Sequence, residues 1–165
     1  MPVKSQNLSK TASVRIPGAE RFKIGILVSE WNEEVTSSLR DGAEKALLDS
    51  GVSSDNIRIE NVPGSFELPT GAVMMLESDE NLDAVICLGC IIQGETRHFE
   101  FISQAVAHGI TKVAVDYNTP VIFGVLTCDT LQQALDRSGG SHGNKGTEAA
   151  VSCLKMLALE KRLKR

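Results

Sequence analysis

Apolar stretches of strand length alternate with amphipathic stretches along most of the chain, and this alternation predicts an α/β protein. Strands are predicted at Phe22–Val28, Asn56–Val62, Ala84–Ile92 and Pro120–Leu126. Asn56–Val62 alternates between apolar and polar residues, which is typical of an edge strand, whereas the other three are apolar enough to be buried. The right-handed crossover rule then predicts a four-stranded parallel sheet with helices on both faces.

Helices are predicted where apolar residues recur every three or four positions between the strands. The predicted helices are Glu33–Ser50, a helix running from Pro69 to about Glu77, His98–Gly109, Thr130–Arg137 and a last helix with its apolar stripe between Ala150 and Ala158. Residues 1–20 are polar and irregular and predict an N-terminal arm, loose unless it docks on a neighbour. Residues 21–165 are then expected to form a single domain.

Composition narrows the function classes. The net charge of −4 argues against a protein built mainly to hold nucleic acid. No apolar run approaches the ~20 residues that cross a bilayer, and the N-terminus lacks the apolar core of a secretion signal. We therefore expect no nucleic-acid or membrane partner and a cytoplasmic location.

The four cysteines include a C-x-x-C pair, Cys87 and Cys90, inside a predicted strand. Alternation along a strand puts these two side chains on opposite faces, which suits neither a zinc site nor a dithiol. We expect buried, reduced thiols, in keeping with a cytosolic protein.

The turn after Ala84–Ile92 has the features of an anion site. Gly94, Glu95 and Thr96 form the turn, Thr96 is a plausible N-cap, and His98 falls in the first helical turn. Unpaired backbone N–H groups at a helix start attract anions, and an imidazole can move protons near neutral pH. The alternative for His98 is an ordinary surface histidine. A nucleotide-binding P-loop is disfavoured because Glu95 stands where that motif needs a lysine.

Aromatic and basic residues suggest further contacts. Trp31, Phe66 and Phe123 follow or fall within predicted strand ends, and three aromatics at one edge would suit a flat heterocyclic ligand. For Trp31 a half-buried packing role is the alternative. Arg137 and Lys145 flank the Gly-rich segment 139–146, which favours the second half of a phosphate site over two solvated charges. Glu148 could pair with a cation or orient His98, and the segment's own His142 could be a solvated turn residue.

Several spaced segments together resemble the lumazine synthase family of the riboflavin pathway. They are KIGILVSEWN, VPGSFELP, LGCIIQGETRHFEF, PVIFGVLT and RSGGSHGNKG, in this order from about Lys23 to the end. The resemblance implies a flavodoxin-like three-layer α/β/α sandwich. It also implies condensation of 5-amino-6-(D-ribitylamino)uracil with 3,4-dihydroxy-2-butanone 4-phosphate to 6,7-dimethyl-8-ribityllumazine, without a metal or redox cofactor.

The resemblance also implies a role for each site residue. His98 resembles the catalytic histidine. The residues expected to contact the uracil ring and ribityl chain are Trp31, Ser65, Phe66, Glu67, Cys90, Ile91, Ile92 and, from the neighbouring subunit, Phe123. Those expected to bind phosphate are Gly94, Glu95, Thr96, Arg137 and Lys145.

Members of this family form pentamers with active sites between adjacent subunits, and some assemble into shells of sixty chains. The short RSGGSHGNKG connection resembles that of shell-forming members, and riboflavin synthase is a further expected partner. The rival hypotheses are a non-catalytic flavin-binding module and a purely structural shell protein on the same fold.

Overall fold

A computed structural model describes residues 15–164 and confirms the predicted α/β architecture. One parallel sheet has the strand order β2-β1-β3-β4. Its strands are β1 (Ile24–Ser29), β2 (Ile57–Val62), β3 (Ala84–Ile92) and β4 (Val121–Cys128). β2 is an edge strand, as its alternating sequence predicted, and β3 has the predicted bounds.

Helices cover both faces of the sheet and make a flavodoxin-like three-layer sandwich. The helices are α1 (Glu33–Asp49), α2 (Leu68–Ser78), α3 (His98–Asp116), α4 (Leu131–Arg137) and α5 (Lys145–Leu163). The residues of α1 and α5 share one apolar cluster with one face of the sheet, and those of α2 and α3 share a second cluster with the other face. No helix within residues 15–164 is long and apolar enough to cross a membrane.

Two helices are longer than the sequence predicted. α3 continues to Asp116 because Ile110 and Val113 extend its buried stripe beyond Gly109. α5 begins at Lys145, within the segment predicted as a Gly-rich loop. The helix starts there because the Asn144 side chain accepts hydrogen bonds from the backbone N–H groups of Gly146 and Thr147. The same segment contains a small antiparallel pair, β5 (Ser138–Gly140) and β6 (Gly143–Asn144).

The predicted arm is described only in part. Residues 1–14 lie outside the described residues. Ile16 packs against the cluster under α1 and α5, and Ala19 is buried there. The Lys161 ammonium also donates a hydrogen bond of 3.0 Å to the carbonyl oxygen of Pro17. Residues 16–19 therefore pack on the domain of their own chain.

All four cysteines are free and buried, as predicted. Cys87 faces the cluster under α2 and α3, and Cys90 faces the opposite one, so the C-x-x-C pair does lie on opposite faces. Burial raises the pKa of Cys87 and of Cys153 to about 12. These thiols are neutral in the folded protein at any ordinary pH.

The buried thiols predict a pH effect on stability. An unfolded thiol ionises near pH ~8.5, whereas the folded Cys87 and Cys153 thiols keep their protons to about pH 12. The folded state therefore binds more protons above that lower pKa, and the free energy of unfolding falls as pH rises between the two values. We expect urea midpoints to decline above pH 9 and to decline less in Cys153→Ala; an equal decline in both proteins would contradict this.

Candidate active site

The sheet has its topological switch point between β1 and β3. From β1 the chain crosses over one face to β2, and from β2 it crosses the other face to β3 on the far side of β1. Open α/β sheets bind ligands outside the carboxyl ends of the strands at such a point. Pairing of β1 with β3 ends at Val28 and Leu88, while β3 continues to Ile92 beside β4 alone. The ladder between β1 and β3 therefore ends before β3 does, and we call this edge of the sheet, where the fold is expected to bind a ligand, the crevice.

The segment after β1 presents Trp31 at the rim of the crevice. Its side chain is 73% exposed, so the half-buried packing role is wrong and an open aromatic face remains. The backbone N–H of Trp31 donates to the carbonyl oxygen of Pro63 at 3.4 Å, which ties it to the turn after β2. An exposed tryptophan beside a switch point can stack on a flat ring.

Asn32 joins the segment after β1 to β3 by a side-chain hydrogen bond, and the sequence did not predict this contact. Its backbone is left-handed, with φ of 61° and ψ of 48°, and its side-chain N–H donates to the carbonyl oxygen of Cys90 at 3.1 Å. This bond joins the loop after β1 to β3 beyond the end of their ladder. A local clue existed, because asparagine before a helix tolerates the left-handed region, but its partner was not visible.

The turn after β2 carries the second group of predicted contacts. Ser65–Glu67 forms one turn of 3₁₀-helix leading into α2. Ser65 is buried, whereas Phe66 is 55% exposed and Glu67 is also exposed. Trp31 follows β1 and Phe66 follows the neighbouring strand β2. The hydrogen bond from Trp31 to Pro63 joins the two segments, so both aromatic rings lie at the same edge of the sheet.

The segment after β3 supplies the predicted anion site. Residues 93–98 are exposed, and the space around Gly94 is open, with nothing within 4 Å of the position a Cβ would take. Thr96 is not the N-cap; that position falls on Arg97, whose side chain makes no capping bond. Thr96 does accept a long hydrogen bond of 3.4 Å from the backbone N–H of His98. The N-cap residue of α3 thus makes no capping bond, and Thr96 binds the His98 N–H at this exposed helix start.

Arg137 lies at the carboxyl end of β4. Burial raises the pKa of the Cys128 thiol, and the nearby positive charge of Arg137 partly opposes that shift. The guanidinium donates to the carbonyl oxygen of Gln133 at 3.0 Å, which leaves further N–H groups for an anion. The backbone N–H of Gln93 donates to the carbonyl oxygen of Cys128 at 2.8 Å and holds the ends of β3 and β4 together.

Lys145 begins α5 and is paired within its own chain. Its ammonium lies 2.6 Å from the carboxylate of Glu148, whose side chain is only 15% exposed. Of the two roles considered for Glu148, the structure therefore shows the pairing with a cation. His142, in the same segment, is exposed, and its ring nitrogen lies 3.0 Å from the hydroxyl of Ser141.

Phe123 is not grouped with the other aromatic residues. It pairs with Cys87 in the middle of β3, well before β4 ends at Cys128, so the expectation of three aromatics at one edge is wrong for a single chain. The side chain is 41% exposed along the outer strand β4. Its distance from the strand end leaves it available to a neighbouring molecule rather than to this chain's own crevice.

Two surface grooves lie at the opposite end of the sheet, where β3 and β4 begin. One of about 350 Å³ contains Glu77, Asp79 and Tyr117, and the other, of about 580 Å³, is lined mainly by apolar residues such as Val115 and Met156. Neither groove contains a histidine or adjoins a helix start. The switch-point edge therefore remains the candidate site, because the predicted aromatic, imidazole and guanidinium residues all follow carboxyl ends of the sheet strands. Trp31 follows β1, Phe66 follows β2, His98 follows β3 and Arg137 follows β4.

Comparison with known proteins decides the family. The sequence profile of 6,7-dimethyl-8-ribityllumazine synthase matches residues 21–161. The chain belongs to the 6,7-dimethyl-8-ribityllumazine synthase family. A 6,7-dimethyl-8-ribityllumazine synthase of Cytophaga hutchinsonii is 55% identical over 96% of this chain and 98% of its own. The one from Flavobacterium johnsoniae is 51% identical over 94% and 82%, and that from Porphyromonas gingivalis is 49% identical over 98% and 99%.

The match to the lumazine synthase family covers the whole candidate site. Residues 21–161 include all four strands of the main sheet, the start of α3 and the Arg137–Lys145 segment. The likeness is therefore not confined to the sheet that many unrelated proteins share. It confirms the family resemblance that the spaced sequence segments indicated.

Proposed function

We propose that the protein condenses 5-amino-6-(D-ribitylamino)uracil with 3,4-dihydroxy-2-butanone 4-phosphate to form 6,7-dimethyl-8-ribityllumazine, phosphate and water. The observation that carries this proposal is membership of the lumazine synthase family across residues 21–161. The crevice adds support, since it offers a flat aromatic face, a proton carrier and a helix start suited to phosphate.

The reaction needs repeated proton transfers and a phosphate grip. The primary amine of the uracil attacks the ketone to give a carbinolamine, which loses water to form an imine. Proton shifts along the four-carbon chain then expel phosphate, and the ribitylamino nitrogen closes the second ring with loss of a second water. No electrons leave or enter the pair of substrates, so their atoms account for the products.

The residues at the crevice suit these needs in distinct ways. Trp31 and Phe66 would stack against the uracil ring, with the Glu67 side chain toward the ribityl hydroxyls. Ser65, whose side chain is buried, would contribute through its backbone. The strand end Cys90–Ile92 would offer backbone groups to the ring, although the Cys90 carbonyl already accepts from Asn32. Cys90 would thus contribute chiefly through its place in the strand, because its side chain is buried in the apolar cluster.

Phosphate would bind between the backbone N–H groups at the start of α3 and the positively charged side chains after β4. Gly94, Glu95 and Thr96 would present backbone N–H groups before α3, with the Glu95 carboxylate turned to solvent. Arg137 would stabilise the charge that develops as phosphate leaves. Lys145 would add less to the positive field, because its ammonium is paired with the Glu148 carboxylate.

His98→Ala is expected to slow turnover about 10-fold to 10²-fold rather than abolish it. Proton transfer by a positioned group contributes about 10² or more, but holding two reactants together contributes effective molarities of about 10⁵ M or more, and this part survives the substitution. The measurement is lumazine absorbance after mixing both substrates. His108→Ala, another exposed histidine of α3, is the matched control and should keep wild-type turnover. An unchanged rate in His98→Ala would count against proton transfer by His98. A folded His98→Ala protein with no measurable lumazine formation would count against the moderate size of that contribution.

The same assay separates the rival hypotheses. A flavin-binding module would bind riboflavin and form no lumazine from the two substrates. A structural shell protein would tolerate loss of both His98 and Arg137. No observation favours either rival, and lumazine formation by the purified wild-type protein would exclude both.

We further propose that the active sites lie between neighbouring subunits of a homopentamer. Supporting this are the exposed Phe123, which no crevice of its own chain uses, and Trp31, which is open to solvent in the single chain. The short connection between α4 and α5 supports assembly of pentamers into a sixty-chain shell, in which riboflavin synthase would be the partner that uses the product. A cytoplasmic location is part of the same proposal, in keeping with four buried free thiols.

A further inference from the structure

Gly89 of β3 lacks a side chain at a place where the surrounding space is already filled. A Cβ at this position would lie 2.5 Å from the hydroxyl oxygen of Ser65, 3.0 Å from a methyl carbon of Leu68 and 3.3 Å from the hydroxyl oxygen of Ser29. Real Cβ atoms do not approach other heavy atoms as closely as the first of these distances. The Ser65 hydroxyl can therefore occupy its position only because residue 89 is glycine.

The Ser65 side chain is held there by fit. Ser29 is 0% exposed and Ser65 is 6% exposed, and neither hydroxyl has a hydrogen-bond partner within the described residues. The neighbouring Leu68 is fully buried and anchors the start of α2. A side chain located by close packing, without a hydrogen bond, shifts when the space beside it is filled.

The position of Ser65 determines that of the two exposed residues after it. Ser65–Glu67 is a single turn of 3₁₀-helix, closed by a 3.2 Å hydrogen bond from the backbone N–H of Glu67 to the carbonyl oxygen of Gly64. Because the turn is so short, a displacement of Ser65 away from β3 moves Phe66 and Glu67 with it. A displacement of about 1 Å at a binding group can reduce catalysis by about 10²-fold.

We propose that Gly89 is a positioning residue for substrate binding: its missing side chain lets Ser65 pack against β3 and so sets where Phe66 and Glu67 stand beside the uracil ring. This inference rests on the proposed function, because it assigns those two residues to the ribitylaminouracil. Gly89 itself touches neither substrate. It acts through its contact with Ser65, which begins the turn Ser65–Glu67.

A double-mutant cycle between Gly89→Ala and Ser65→Ala tests the contact. In the wild-type background, Gly89→Ala should raise the KM for the ribitylaminouracil about tenfold and leave the KM for the butanone phosphate within about twofold. In the Ser65→Ala background, Gly89→Ala should raise the KM for the ribitylaminouracil by less than about threefold. The reason is that the 2.5 Å contact is gone and the next atom is the end of the Leu68 side chain at 3.0 Å.

Gly25→Ala is the matched control for a crowded strand glycine. Gly25 lies near the start of β1, away from the crevice, and its Cβ would meet the sulfur of Met75 at 2.2 Å. This variant should lower the thermal midpoint without changing either KM. An equal rise in the KM for the ribitylaminouracil in Gly25→Ala would show a general packing effect and overturn the proposal.

Other outcomes are equally decisive. An unchanged KM in folded Gly89→Ala, or an equal effect in both Ser65 backgrounds, would overturn the positioning role. If Gly89→Ala does not fold, Ser65→Thr adds a methyl group to the same residue, and an unchanged affinity in that variant would also overturn it. The cycle can be run as calorimetric Kd values for the ribitylaminouracil, which need no turnover. Absence of lumazine formation by wild-type protein would instead count against the proposed function.

Discussion

Arg137→Ala should reduce kcat/KM for the butanone phosphate by about 10²-fold to 10³-fold, the largest loss expected from any one proposed site residue. The guanidinium has one N–H group bonded to the Gln133 carbonyl oxygen and others free for phosphate. The KM for the ribitylaminouracil should stay near its wild-type value, because Arg137 is assigned to the other substrate. Steady-state kinetics with each substrate varied in turn measures both effects.

Two comparisons define what the arginine does. Arg137→Lys keeps the charge but loses the planar pair of donors, so its kcat/KM should fall between those of wild type and Arg137→Ala. Arg58→Ala removes an arginine that pairs with Glu60 on the edge strand β2 and should leave the kinetics unchanged. A loss in Arg58→Ala as large as in Arg137→Ala would point to net charge rather than a phosphate contact.

The same variant tests whether the site is shared between subunits. If Arg137 acts on a site whose His98 belongs to the adjacent chain, co-assembled His98→Ala and Arg137→Ala chains contain some sites with both native residues. Refolding the two weak variants together should then give more activity than the average of the separate proteins. No gain after co-assembly has been verified would rule out a site divided in this way.

Local patterns predicted most of the fold because they are set by burial along short segments. The bounds of β3 agree with the apolar run Ala84–Ile92, and the polar alternation of β2 correctly indicated an edge. The end of α3 was missed because polar Thr111 and Lys112 interrupt the pattern, although Ile110 and Val113 remain buried beneath them. The predicted end of a helix was therefore wrong where buried apolar residues continue on one face while exposed polar residues lie on the other.

The site was only partly predictable because some of its parts depend on distant contacts. The Asn32 side-chain hydrogen bond joins residues separated by 58 positions, and the fit of Ser65 depends on a glycine in another strand. Phe123 was misplaced because an aromatic residue in a short apolar run does not reveal how far it lies from the strand end. Residue type identified the chemistry at His98 and Arg137, but packing determines which residues hold the binding groups in place.

The start of α5 shows a distant contact that fixes a residue type. Gly146 is buried where α5 crosses α1, and a Cβ there would lie 1.9 Å from the backbone carbonyl oxygen of Leu39. The hydroxyl of Thr147 donates to the carbonyl oxygen of Gly42 at 3.1 Å across the same crossing. The two helix backbones are therefore nearly in contact, and glycine is required despite its low helix propensity.

Gly146→Ala is accordingly expected to lower the free energy of unfolding by about 3 kcal/mol or more. The gain in helix propensity is only about 1 kcal/mol, whereas the clash involves backbone that cannot rotate away as a side chain can. Urea denaturation measures the loss. Gly94→Ala, where nothing lies within 4 Å of the added carbon, is the matched control and should change stability by less than about 0.5 kcal/mol. A Gly146→Ala protein as stable as wild type would mean that α1 and α5 can separate at little cost, contrary to the close contact of their backbones at Gly146 and Leu39.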